Sequence, residues 1–517
     1  MHDELERLAH RFATDGFWRE GWAACRQTMQ FDRDRLTPET ASRLSALEAD
    51  LRPSNLPERV RAIVLGDRSG GLDLEDMDIA GDLMSAPERF ETIARELGAA
   101  VAVDDAVFTE LLPDLLHGGN RARAFGRGLA GASPDRCATW ERLVVGLAQT
   151  APKQQNVQVL GGFLTELWKQ DRDLAQHLLD SALDQPALLE FLPELHSAVV
   201  LDERGIERLK RSLIAGQVPV WRYRNLAFGR TTDHLAGGVL KELLLLIADQ
   251  PDGFDVALEI LDMRLFADRS AQREHEPKLL EAGRELIRRV TFRKDRQRGD
   301  HQLADVVKAC LTAPDTGPIA AYVAVRLRQA VATNETFSFD NDELLTALLE
   351  VQPAAVLDAL FAGNEGDQQA GVDVFDHLAD DQSNPADAIS CEALIAWCKG
   401  DRERRYPLAA SIITFAHRPQ ASGPQVWSEQ AMALLASAPD PRRVLAVLIE
   451  RFRPMSWSGS RAALIEANAR LLDSLESRVP SDVMPFVTEA KAQLAQEVAS
   501  ERQRETEQDR ARDERFE

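Results

Sequence analysis

The residues of this chain best suited to chemistry are basic and aromatic. At 221–230 the string WRYRNLAFGR sets Trp221, Arg222, Tyr223 and Arg224 side by side, with Arg230 behind them. Guanidinium groups beside Trp and Tyr are the composition of protein-interface hot spots, and also of phosphate or base recognition. At 284–298, RELIRRVTFRKDRQR carries Arg284, Arg288, Arg289, Arg293, Lys294, Arg296 and Arg298. Arg284 and Arg288 have the spacing of one helix face, but Thr291, Phe292 and Asp295 interrupt the stripe. The candidate partner-binding residues are therefore Trp221, Arg222, Tyr223 and Arg224, with Arg288, Arg289 and Arg293 next. Ion pairing to neighbouring acidic helices competes with that reading in both clusters, and on composition alone it carries more weight.

Catalytic patterns are absent from the sequence. The nearest phosphate-loop string, GDRSGG at 66–71, lacks the GK[ST] ending and follows no clear strand, so it reads as a loop. No GxSxG, HExxH or zinc-finger spacing occurs. His234, His301 and His377 each follow an aspartate, but helix neighbours point about 100° apart and form no preformed acid–base pair. Acidic residues cluster at Asp73, Glu75, Asp76 and Asp78, and again at Asp376, Asp380 and Asp381. Neither group has EF-hand order, and adventitious charge is the better reading. The alternative function, a metal-dependent hydrolase, would place its site on these acidic loops. No catalytic residue, metal ligand or cofactor is expected. Cys391 and Cys398, seven apart, read as two small core residues on one helix face.

The formal net charge of -23 disfavours sequence-independent nucleic-acid binding, which needs Lys and Arg to displace counterions. No apolar run reaches the roughly 18 residues of a membrane span. The start, MHDELERLAHRF, lacks the charged and apolar regions of a secretory signal. Five sparse cysteines without CxxC spacing point to a reducing, cytoplasmic setting.

The elements that must position these residues are helices. One phrase recurs: LTELWKQDRDLAQHLLDSAL at 164–183, LLLIADQPDGFDVALEILDMRL at 244–265, LTALLEVQPAAVLDALF at 345–361 and MALLASAPDPRRVLAVLIERF at 432–452. Each is an apolar helix end, a polar break and a second apolar helix. The breaks at Gln170, Gln250, Gln352 and Pro439 lie 80, 102 and 87 residues apart, about two repeat units each. Thr37-Pro38, Ser133-Pro134, Asn384-Pro385 and Asp440-Pro441 each put a capping side chain before a first-turn proline. Ser85 with Glu88, and Asp340 with Glu343, have capping-box spacing. Glycine doublets at 118, 161 and 237 fall near expected helix ends. The pattern predicts an all-α chain, an α-solenoid of HEAT-like two-helix repeats. Its expected parts are an N-terminal helical segment and joint (1–95), two helical-repeat blocks (96–298 and 299–480), and a C-terminal helix with a charged, solvated tail (481–517). Such scaffolds mostly bind protein or peptide partners along one face.

The strings LHGGNRARAFGRGLA, VLGGFLTELWKQDRDLAQHLLDSAL and WRYRNLAFGR with the DHLAGGVLKELLLLIADQ that follows resemble the C-terminal helical region of large bacterial STAND-type NTPase proteins associated with antiphage defence. The resemblance spans about 40–517 and implies the helical-repeat sensor of such a protein. Its partner would be an NTPase or effector subunit, or a phage protein. No effector or NTPase motif is present, so no catalytic residue carries over. The chain would be part of a longer reading frame or a separately encoded partner.

Overall fold

The computed structural model describes Arg7 and residues 18–32, 35–66, 86–294, 300–375, 384–419, 423–454, 457–475 and 478–516. The architecture is all-α. Among the described residues the strands are one two-residue hairpin, Ala416–His417 antiparallel to Val426–Trp427, with Ala416 opposite Trp427. No described helix is long and apolar enough to cross a membrane.

Contacts divide the chain into two compact units, Met1–Ala267 and Asp268–Glu517. The division falls inside the helix Gly253–Ser270 rather than in the polar stretch at 293–300. Pro277–Arg288 and Asp300–Cys310, on either side of that stretch, pack on each other.

Each of the four recurrent phrases is a helix pair. The pairs are Gln158–Gln170 with Arg172–Ser181, Gly237–Ala248 with Gly253–Ser270, Asp342–Val351 with Pro353–Leu360, and Glu429–Ser437 with Pro441–Glu450. In both units helices pack mainly on the next helix or the next but one, which is compatible with an α-solenoid.

Capping explains most of the starts. Thr37 accepts from the Thr40 amide, Asn384 from Ala386 and Asp440 from Arg442, each ahead of a proline. Two expected caps differ. Asp135, not Ser133, caps Arg136–Gln149, and the Ser133 hydroxyl is bound to Thr139 instead. Asp340 does not cap Asp342–Val351; the Glu343 amide is taken by Asp300 from the neighbouring helix. Ser85 lies outside the described residues.

In the first unit, three helices are joined by glycine. Ala86–Ala102, Ala122–Ala132 and Gln158–Gln170 lie side by side. A Cβ at Gly98 would stand 2.1 Å from the Phe125 carbonyl oxygen, and one at Gly128 1.8 Å from that of Arg95. On the other side of the middle helix, Gly126 would meet the Val159 oxygen at 2.1 Å and Gly162 the Arg123 oxygen at 1.9 Å. Gly162 is therefore a packing residue inside its helix rather than a terminator.

Side-chain donors reach backbone carbonyls 29 to 44 residues earlier in the sequence in the following cases. In the first unit Arg264 donates to the Thr232 and Leu235 carbonyls at 2.7 and 3.0 Å. In the second, Gln352 reaches Leu311 and Ala313, Gln430 reaches Ala386 and Ile389, and Arg451 reaches Ala410 and Ile413. Each ties a later helix to carbonyls in the turn or helix end of an earlier one. Gln352→Met is expected to cost about 1 kcal/mol in a denaturant titration, because it removes the bonds from Gln352 while Thr316 still meets both carbonyls.

The charged tail continues the C-terminal helix and is mostly exposed over 502–510. Met484–Phe516 is one helix, and Glu505 bonds the Ser460 hydroxyl and the Ala462 amide, so it helps cap Arg461–Ala469. Arg502 pairs with Glu466, and Arg461 with a buried Glu501.

Candidate functional site

The stretch at 221–230 is shaped by its flanks. Gly216, at φ 65°, ends the helix Glu203–Ala215 in the left-handed region that glycine tolerates. Pro219 then leads into a 3₁₀ helix over Val220–Ala227. Tyr223, Leu226 and Ala227 anchor that turn in the core. Tyr223 is fully buried, its hydroxyl 2.6 Å from that of Ser212, and burial pushes it up to about 12. It is a core residue and leaves the candidate surface.

The other three remain at the surface in different ways. Arg222 is sandwiched between the rings of Phe191 and Trp221, 4.2 and 4.7 Å from their centroids. Its guanidinium donates twice to Glu190 and lies 3.7 Å from Glu194. Arg222 is thus a clamp rather than a contact. Trp221 lies over that clamp with 55% of its surface exposed. Arg224 pairs with Glu259 at 2.9 Å. Phe266, also 54% exposed, sits two turns beyond Glu259 on the same helix face.

In the second unit, Arg284 turns inward and donates to the Cys310 carbonyl at 3.0 Å, so it shares no stripe with Arg288. Arg288 and Arg289 are exposed at the end of Pro277–Arg288. Beyond them Val290 and Phe292 are buried while Thr291, Arg293 and Lys294 point outward, the alternation of an extended segment. Arg293 borders a cleft of about 630 Å³ with Phe292, Arg326, Gln329, Thr333 and Glu335. Lys294 sits 4.4 Å over the Phe337 ring, and Arg326 lies 5.7 Å over Tyr322 and donates to its hydroxyl. Arg296 and Arg298 lie outside the described residues. The candidate residues therefore fall on two separate surfaces, one in each unit.

Sequence reading missed Arg326. Its four-residue spacing from Tyr322 was visible, but its approach to Arg293 was not.

Asp233 pairs with Arg230, while His234 contacts the Leu201 carbonyl at 2.5 Å. His301 bonds Glu343 on another helix at 2.8 Å. Asp342 beside them is pushed up to about 7, by burial first and then by Asp300 and Asp340. Cys398 is buried and Cys391 half-buried, both as thiols. His377 and the acidic loops at 73–78 and 376–381 lie outside the described residues. Among the described residues no group of His, Cys, Asp or Glu comes together in a way that could hold a metal ion.

Comparison with protein-family models, with curated proteins and with solved structures gives no match for this chain.

Proposed function

We propose that this chain is a non-enzymatic α-solenoid scaffold that binds a protein or peptide partner in the cytoplasm. On this reading it is the sensor or regulatory region of an NTPase-driven defence machine. Its partner is then an NTPase or effector subunit, or a phage protein. The observation that carries the binding role is Trp221. A large aromatic ring more than half exposed, backed by an arginine that two glutamates and Phe191 hold still, has little conformational freedom left to lose on binding. Arg224 and Phe266 extend the same surface through Glu259.

The test is a tagged pull-down from the native host, with and without phage challenge, comparing the wild type with Trp221→Ala. A partner held by the wild type should be weakened about 30-fold or more in the variant, the loss typical of a hot spot. Helicity and melting should not change, because Trp221 is outside the core. A partner retained equally by both chains would remove Trp221 from the binding surface. Arg224→Ala should have the smaller effect, since its ion pair is half exposed.

A further inference from the structure

At the cleft in the second unit, two cations are held by aromatic rings. Elsewhere basic side chains are commonly matched to carboxylates across helices, as in Arg269 with Asp305, Lys308 with Glu350 and Arg453 with Glu497. Arg293, Lys294 and Arg326 form no ion pair among the described residues. Lys294 and Arg326 rest instead on the rings of Phe337 and Tyr322. Phe337 is itself stacked on Phe339, centroids 5.1 Å apart and planes at 8°. A ring fixes a cation's position without neutralising its charge. In a chain of net charge -23, Arg293 and Arg326 thus border one cleft with Lys294 nearby, none of them ion-paired among the described residues.

The remaining lining is neutral and hydrogen-bonding, from Thr291, Gln329 and Thr333, with Glu335 as its acidic residue. Arg293 also borders a smaller recess with Asp300 and Asp340, so carboxylates bound the positive region on that side. The volume, about 630 Å³, is that of a small-molecule site.

We infer that this cleft binds a phosphorylated sugar, either free or as part of a nucleotide. The phosphoryl oxygens accept from Arg293 and Arg326, the geometry for which guanidinium is suited, with Lys294 as a nearby point charge. The sugar hydroxyls are met by Gln329 and Thr333, and Glu335 accepts from one of them. Macromolecular binding at Trp221 is a separate matter, because that residue lies in the other unit.

The experiment is calorimetric titration of the full chain with ADP and with ribose 5-phosphate, in EDTA and about 0.15 M salt, where long-range attraction between exposed charges is screened. Saturable binding is expected with at least one probe: both together identify the sugar phosphate as the recognised part, and ADP alone identifies a nucleotide. Arg293→Ala and Arg326→Ala should each weaken binding by about ten- to a hundred-fold. Arg288→Ala with Arg289→Ala, on the same basic segment but outside the cleft, should leave it unchanged. Circular dichroism of each variant separates lost binding from lost fold, and Arg326→Lys, which keeps the charge, should retain part of the affinity. The inference fails if neither probe binds by millimolar concentration. It fails equally if the cleft variants bind like the wild type, or if the Arg288 and Arg289 pair weakens binding as much as they do.

Discussion

Between pH 6.5 and about 3, one side chain, His196, is expected to remove stability on the order of 5 kcal/mol from the folded chain. His196 is fully buried, and among the described residues neither ring nitrogen has a hydrogen-bond partner. Burial pushes its proton affinity down to about 3, and the Arg208 guanidinium pushes the same way against the pull of Asp202 and Asp180. The folded value is below the unfolded one, so the unfolded chain takes up the proton first. Stability is complete above 6.5 and falls as pH drops through the window below it. About 2 kcal/mol should already be gone at pH 5.

Arg208 itself is tied to Asp180 at 2.7 Å and to the Gln176 side chain at 2.5 Å, so the charge beside the imidazole cannot move away. Urea unfolding at pH 7.5 and pH 5 measures the effect. His196→Leu should lose about 2 kcal/mol less than the wild type between the two conditions. Asp180 and Asp202, both held below the usual carboxylate range by their arginine, amide and side-chain partners, add acid sensitivity at lower pH. Their contribution is present in both chains. Parallel pH curves for wild type and variant would show that the imidazole is not the acid-sensitive group.

Gly128→Ala and Gly162→Ala should each destabilise the first unit by about 2–3 kcal/mol, although alanine is the better helix former by about 1 kcal/mol. The added methyl carbon would stand 1.8 Å from the Arg95 oxygen in one case and 1.9 Å from the Arg123 oxygen in the other. Both obstacles are backbone atoms of packed helices, which cannot rotate aside as a side chain can. Gly131, in the same helix as Gly128, is the internal control. Its nearest neighbours would be side-chain atoms at 3.8 and 3.9 Å, so Gly131→Ala should be neutral or stabilising by up to about 1 kcal/mol. Denaturant midpoints of the three variants decide the matter: opposite signs for Gly128 and Gly131 are expected, and a neutral Gly128→Ala would mean that the helices can separate without loss.

Local signals reached the helices, their breaks and most of their caps. Apolar residues at three and four, and Thr37 or Asp440 ahead of proline, act over a single turn, and a turn is what a short stretch of sequence encodes. The cap on Asp342–Val351 was beyond that reach because the acceptor for the Glu343 amide is Asp300, 43 residues away. The partners of the tail helix were hidden for the same reason: Arg502 meets Glu466 and Glu505 meets Ser460, 36 and 45 residues away.

The binding surfaces show the limit most directly. Trp221 and Tyr223 are two residues apart in one arginine-rich string, yet one is 55% exposed and the other 0%. Composition marked both as contacts, and the hydroxyl of Ser212 decided between them. By itself the sequence determined an all-α chain of paired helices with two basic, aromatic segments, because backbone hydrogen bonding and side-chain periodicity are short-range. Only the tertiary structure decided which arginines are neutralised, as Arg222 and Arg224 are, and which border a cleft with no ion pair among the described residues, as Arg293 and Arg326 do. Whether a charge is matched depends on what the fold brings within about 4 Å of it, and those neighbours lie on other helices, tens of residues away.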